Sequence, residues 1–535
     1  MSTIRTRWSE TIDKTCPLRE YPRPQMARES YQCLNGAYDY AITPLTQSAM
    51  GESQGKILVP FAVETELSGV EQPLDENHAL WYRRTFAVEE AAEGKRVLLH
   101  FGAVDWLCEV WVNGTSVGTH TGGYCPFTFD ITDVLQPENE LTVRVVDPTD
   151  KGGQPRGKQV QKPVGFWYTA TSGIWQTVWL EVVPQQYLRS LRLTPDIDRS
   201  VLRVEAPENG DCRLKVEVKA DGGIVASETI AGGDWVAIPN ARLWSPEDPF
   251  LYELSVSLLE GDEAVDTVAS YFGMRKFSMA RDQNGYRRLC LNNKPYFQKG
   301  LLDQGYWPDG GMTAPSDEAL IYDIQKMRDL GFNMLRKHIK VEPLRWYYHC
   351  DRLGMLVWQD MPNGCDVDLF VAGFLPNILI RTLSDKHEKL FCRTDLAAQE
   401  LFRTELDEML RHLYNAVSIC CWVPFNESWG QFDAVNIAAH IKQLDPTRYV
   451  DHASGWHDQG VGDFKSIHRY IVPLGGFVCD KRALVVSEYG GYSRVVEGHV
   501  WNRKKCFGYL MFKNEKTLSD AYRKLHEQQV YRLLG

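Results

Sequence analysis

The apolar pattern of this 535-residue chain changes once, near Arg281, and that change limits the folds open to it. Before Arg281 the apolar residues come in short runs of period two, broken by turn residues. After it, short apolar runs alternate with stretches of helical period. The first pattern builds antiparallel sandwiches, and the second builds a parallel sheet with helical crossovers. A chain of this length also calls for several domains, and three are expected: residues 1–185, 186–280 and 281–535.

In the first domain Leu80-Trp81-Tyr82-Arg83-Arg84-Thr85-Phe86 alternates. The runs at 96–101, 109–112, 141–146 and 177–180 continue that pattern. Asn113-Gly114 is a type I′ hairpin signal between two such runs. This predicts an all-β sandwich. Runs at 188–193, 201–204, 214–218 and 251–258 have the spacing of a small immunoglobulin-like sandwich.

After Arg281, Ser316 is placed to cap a helix with Leu320, Ile324 and Met327 on one face and Gly331 beyond its end. A second helix runs from about Trp346 to Leu353 and stops at Gly354. Strands are expected near Tyr296, Phe332, Met355, Val417, Tyr449, Phe464 and Leu484. That is a (β/α)8 barrel short of its eighth strand, with a last helix over 517–534 capped by Gly535. An open barrel leaves two unpaired edges. The chain as given is therefore expected to be a weak or inactive enzyme, and a homo-oligomer is compatible with those edges.

In such barrels chemistry gathers at the C-terminal ends of the strands. Those ends supply Asp303 and Tyr306, then Arg336 and His338, Asp360, Asn426 and Glu427, His468 and Tyr470, and Glu488. Trp456 adds an aromatic face for a sugar ring. Glu427 and Glu488 carry the most information, because each ends an apolar, β-branched run and a buried carboxylate must be offset by partners. Two carboxylates facing each other across a cleft are the equipment of a glycosidase.

Composition narrows the rest. With 59 basic and 70 acidic residues there is no excess of positive charge for nucleic acid. Residues 1–24 hold no apolar signal core, and no run of about eighteen apolar residues crosses a membrane. A cytoplasmic protein is expected, and its thirteen scattered cysteines read as reduced and buried. No CxxC pair suggests a metal, and no cofactor is expected. Gly152-Gly153-Gln154-Pro155-Arg156-Gly157-Lys158 has the spacing of a phosphate-binding loop, but Gln159 stands where Ser or Thr should be and no helix follows. A long exposed loop reaching the barrel mouth is the better reading.

The chain resembles glycoside hydrolase family 2, which contains β-galactosidases, β-glucuronidases and β-mannosidases. The resemblance rests on residues 80–86, 98–106 and 113–114, on Gly122-Gly123-Tyr124 with residues 127–132, and on Ser172-Gly173-Ile174-Trp175-Gln176. It continues through Leu243-Trp244-Ser245-Pro246, Trp358-Gln359-Asp360, Asn426-Glu427 and Ser487-Glu488-Tyr489-Gly490. It implies a sugar-binding jelly-roll domain, an immunoglobulin-like domain and a catalytic TIM barrel, in that order. It further implies Glu427 as acid/base, Glu488 as nucleophile, Asn426 as a ligand of the sugar 2-hydroxyl and Tyr470 as a contact of the nucleophile. Arg336 and His338 approximate the family's strand-two pair, with altered spacing. Asn502 and Lys504 only loosely match residues that read a glucuronate carboxylate in some members, and we treat that match as chance. The activity implied is a retaining exo-β-glycosidase of β-galactosidase or β-glucuronidase type acting on carbohydrate. The alternatives are a carbohydrate-binding or catalytically impaired member and a β-mannosidase-like specificity.

Overall fold

The computed structural model describes residues 4–90, 92–365, 382–471, 473–475, 480–502 and 506–531. The first domain is a sandwich of a six-stranded and a four-stranded antiparallel sheet. Alternation buries one face of each: Tyr82, Val110 and Val143 meet Val97, Leu99 and Phe101 in one core. Asn113 (φ 53°) and Gly114 (φ 76°) are both left-handed and turn Leu107–Val112 into Thr115–Thr121, as a type I′ hairpin requires. Glu181, fully buried on Val178–Val183, ties the N-terminal segment to this sandwich. It accepts from Tyr21 at 2.6 Å, Arg23 at 2.6 Å and Arg28 at 3.0 Å.

The second domain packs a three-stranded on a four-stranded antiparallel sheet around Leu202, Val216, Val256 and Val268. Its first strand is Arg192–Asp196, later than the apolar run from Leu188 suggests. A three-stranded antiparallel sheet follows, and its hairpin Phe277–Arg281 with Arg287–Leu291 straddles the expected domain boundary at 280. Lys294–Pro295 completes that sheet. The strand expected near Tyr296 is therefore divided: its start pairs antiparallel here, and the first barrel strand begins only at Gly300.

Among the described residues, seven parallel barrel strands run Gly300–Asp303, Met334–Lys337, Leu356–Asp360, Ile419–Val423, Tyr449–Val450, Phe464–Arg469 and Ala483–Tyr489. The first five form one ladder and the last two a second. The ladders meet where the Asp463 N–H donates to the Val450 carbonyl at 2.9 Å. Among the described residues, Gly300–Asp303 and Ala483–Tyr489 each pair on one side only. Ile419–Val423 is buried along its whole length, as a parallel strand covered on both faces must be. Helices Asp317–Asp329, Leu396–Leu413 and Ala434–Leu444 cover one layer through Ile324, Phe402, Leu406 and Ile441. Ser316 Oγ accepts from the Ala319 N–H at 3.2 Å, so the predicted cap is in place. The last helix is Glu515–Leu525, followed by a π-turn over His526–Val530; the expected cap at Gly535 lies outside the described residues. No described helix is long and apolar enough to cross a membrane.

Candidate active site

Arg336, at the end of barrel strand two and 2 % exposed, organises the mouth of the barrel. Its guanidinium donates to both oxygens of Asp360, each at 2.9 Å, in the two-point geometry a planar fork favours. It also donates to Glu488 Oε1 at 2.9 Å and to Asn426 Oδ1 at 2.8 Å. Strands two, three, four and seven thus converge on one cation. Because Arg336 holds Oδ1 of Asn426, the amide NH2 is left as the donating end.

Glu427 sits on a strained turn after strand four, where Glu427 (φ 47°) and Ser428 (φ 70°) are both left-handed. Such backbone costs non-glycine residues about 1–2 kcal/mol each. It is held by the Glu427 N–H on the Ser454 carbonyl at 3.0 Å and the Ser454 N–H on the Phe425 carbonyl at 2.9 Å. The turn aims the carboxylate at His468 and Tyr470. His468 Nδ1 lies 2.7 Å from Glu427 Oε1, and Ser454 Oγ lies 3.0 Å from His468 Nε2.

Glu488 lies opposite His468, where the register of strands six and seven shifts between Ile467 and His468. Tyr470 Oη reaches both glutamates, 2.6 Å from Glu488 Oε2 and 2.8 Å from Glu427 Oε1. One oxygen of each glutamate and one ring nitrogen of His468 lie within 4.8 Å of one another. Burial pushes the Glu488 pKa up, but His468, Arg336 and the Tyr470 hydroxyl outweigh it and hold the carboxyl well below the usual carboxylate range. Burial keeps His338 neutral. Its Nδ1 lies 3.0 Å from Asp360 Oδ2, so Nδ1–H is the donor and Nε2 the acceptor. That Nε2 is buried with no hydrogen-bond partner among the described residues.

Arg336, His338, Asp360, Asn426, Glu427, His468, Tyr470 and Glu488 are therefore brought together. Trp456 borders them, its ring edge-on to His468 at 6.1 Å. Asp303 is not among them. It pairs with Lys337 at 2.9 Å, in a separate buried network with Glu342 and Lys340. Lys337 follows Arg336, so period-two alternation turns it, and Asp303 with it, away from the mouth.

Sequence reasoning missed Ser454 and an aromatic wall. Phe166 and Trp167 of the first domain pack on Trp429, with Trp167 stacked at 5.1 Å. Phe166 meets Phe507 at 5.2 Å, Phe507 meets Tyr509 at 5.3 Å, and Tyr509 stacks on Tyr470 at 3.7 Å. The density of aromatic residues at 165–168 and 501–512 is the signal that could have found it. The glycine-rich segment before this wall does reach the mouth, but it is wedged there rather than exposed: Gln154 and Arg156 are 6 % and 7 % exposed. Gln159–Val160 after it is a short strand paired with Tyr168–Thr169, with no helix to hold a phosphate. Asn502 follows Trp501, whose ring meets Tyr306 at 6.3 Å; Lys504 lies outside the described residues.

Comparison with known proteins gives three consecutive matches. A profile described as glycosyl hydrolase 2 galactose-binding domain-like matches residues 52–176. Glycosyl hydrolases family 2 matches 187–275, and the glycosyl hydrolases family 2 TIM barrel domain matches 285–472. A β-galactosidase of Thermoanaerobacter pseudethanolicus is 28 % identical over 302 residues, 53 % of this chain and 39 % of that protein. A putative β-glucuronidase of Formosa agariphila is 28 % identical over 467 residues, 78 % of this chain and 51 % of that protein. The chain thus spans about half the length of these curated relatives or less. The solved β-D-glucuronidase of Dictyoglomus thermophilum shares the fold, with a TM-score of 0.73 at 18 % identity over 95 % of this chain and 90 % of that one. The three matched domains stand in the order the fold shows, and the chain belongs to glycosyl hydrolase family 2.

Proposed function

We propose that the chain is a β-glycosidase that hydrolyses its substrate with retention, with Glu488 as nucleophile and Glu427 as acid/base. The observation that carries this reading is the bridge at Tyr470. Its hydroxyl has one proton and two carboxyl oxygens within hydrogen-bond distance. It donates to one glutamate, and the other can hydrogen-bond that same oxygen only by bringing a proton of its own. Burial and the two neighbouring carboxylates push the Tyr470 pKa far up, so the hydroxyl keeps its proton. Arg336 at 2.9 Å stabilises Glu488 as the anion, which leaves Glu427 as the proton carrier.

The chemistry follows from that distribution. Glu488 attacks the anomeric carbon while Glu427 gives its proton to the departing glycosidic oxygen, forming a glycosyl ester and a free alcohol. Glu427, now a base, takes a proton from water as that water attacks the anomeric carbon and releases Glu488. Carboxyl oxygens within 4.8 Å of one another fit the roughly 5–5.5 Å carboxyl spacing of retaining enzymes better than the roughly 6.5–9.5 Å of inverting ones. The NH2 of Asn426, left free by the Arg336 contact at Oδ1, is the group we assign to the sugar 2-hydroxyl. A 2-fluoro-glycoside that traps the ester should label Glu488 in a peptide map; label on another residue overturns the assignment.

A further inference from the structure

We propose that Lys158, carried into the barrel mouth by the first domain, pairs with a carboxylate on the sugar, so that the site prefers an acidic glycon to a neutral one. This rests on the glycosidase reading for its substrate and deepens it by naming the charge of the sugar.

The backbone around Lys158 is fixed. A Cβ on Gly157 would lie 2.9 Å from the Ile339 carbonyl, so the loop touches the end of barrel strand two. The Gly157 N–H donates to Tyr124 Oη at 2.8 Å, and the Lys158 carbonyl accepts from the Tyr168 N–H at 2.9 Å. Arg156 donates to the Cys365 carbonyl at 3.1 Å, and its own carbonyl accepts from the Gly364 N–H at 2.9 Å. The ammonium lies 5.2 Å from the Phe166 ring centre, at the aromatic wall.

Lys158 makes no ion pair or hydrogen bond through its ammonium among the described residues. Its charge acts on Glu488, Glu427 and Asp360, yet the first and third of these already have Arg336 at 2.9 Å. Burial pulls its pKa below the ordinary lysine value, and Glu488 and Glu427 oppose that. His338 precedes Ile339, whose carbonyl the loop touches at Gly157; of the charges around it Lys158 acts on it most strongly, and its buried Nε2 has no donor among the described residues. The two orphan groups ask for different things: the ammonium for an anion, the imidazole nitrogen for a hydroxyl. A sugar acid carries both on neighbouring carbons. A neutral hexose would leave the ammonium desolvated and unpaired, and a site built to pair a group discriminates strongly against the analogue that lacks it.

Calorimetric titration with D-glucuronate and with D-glucose tests this on wild type, Lys158→Met and Lys158→Arg. One charge-assisted hydrogen bond predicts glucuronate affinity falling about tenfold to a hundredfold in Lys158→Met, with glucose affinity changed less than about threefold. Lys158→Arg should recover much of the loss, and glucuronate binding to wild type should weaken with added salt. Equal binding of both sugars by wild type, or equal weakening of both in Lys158→Met, overturns the proposal. Hydrolysis of nitrophenyl β-glycosides is read separately. Turnover of the galactoside without the glucuronide keeps the glycosidase reading and overturns this one. Lys158-dependent glucuronate binding with no turnover does the reverse.

Discussion

Replacing Tyr470 with Phe removes one oxygen from the point where both glutamates meet and leaves nearly everything else in place. The ring stays stacked on Tyr509 at 3.7 Å and 6°, so packing is preserved. What is lost is a 2.6 Å hydrogen bond to an ionised carboxylate, a class worth about 1.5–3 kcal/mol. If Glu488 needs that donor to remain the anion, kcat/KM should fall about tenfold to 150-fold. The acid side of the profile should change too. A hydrogen bond to the charged form lowers a carboxyl pKa, so its removal raises that of Glu488, and the nucleophile is protonated at higher pH than in wild type. The assay is kcat/KM against pH on whichever nitrophenyl β-glycoside wild type cleaves fastest, with the melting temperature as a control for folding. A Tyr470→Phe enzyme with wild-type kcat/KM and an unmoved acid limb would refute the bridge. A fall at all pH values with an unmoved limb would show that Tyr470 acts on the sugar and not on Glu488.

Glu427→Ala should lose the natural substrate but keep activated aryl glycosides, whose leaving groups need no proton, and azide should rescue it by forming a β-glycosyl azide. Proton NMR of the first sugar released should show the β-anomer; an α-anomer would end the double-displacement mechanism. Glu181→Gln leaves the largely buried Arg23 without its anion, while Arg28 keeps Asp266 at 2.8 Å, and should destabilise by about 3 kcal/mol in urea unfolding, with little change in KM. Burial raises the Glu181 pKa, but Arg23, His100 and Arg28 bring it well below its ordinary value. Its contribution is therefore present above the unfolded carboxyl pKa and lost as pH falls through the folded one, so Glu181→Gln should flatten the acid melt of wild type.

The barrel strands were legible because full burial writes itself as continuous apolar runs, as in Ile419–Val423, and each run ends where a polar residue begins. That made Glu427 and Glu488 visible, and with them the Arg336, Asp360, His468 and Tyr470 that meet them. Strand one was misplaced because Lys294–Pro295 and Gly300–Asp303 lie on one extended stretch, and only tertiary pairing decides which part joins which sheet. Asp303 was miscast because a strand end says nothing of which side its side chain takes. Ser454 carries no periodic signal at all. Lys158 was seen within a motif of the wrong meaning, since nothing local says that a loop of one domain will be pressed against another.

That loop bears on how the barrel mouth comes into being. Arg393 donates to the Gly153 carbonyl at 2.9 Å, and a Cβ on Gly364 would collide with the Gln154 carbonyl at 2.2 Å. A ribosome finishes the first domain before the barrel begins, so the loop waits in solvent until strands two and three arrive to grip it. The wall of the site thus forms by docking of the two domains, after the first has its own core. A protease that nicks the chain between Gly152 and Gly157 before docking would yield three intact cores and a barrel mouth that lacks its wall.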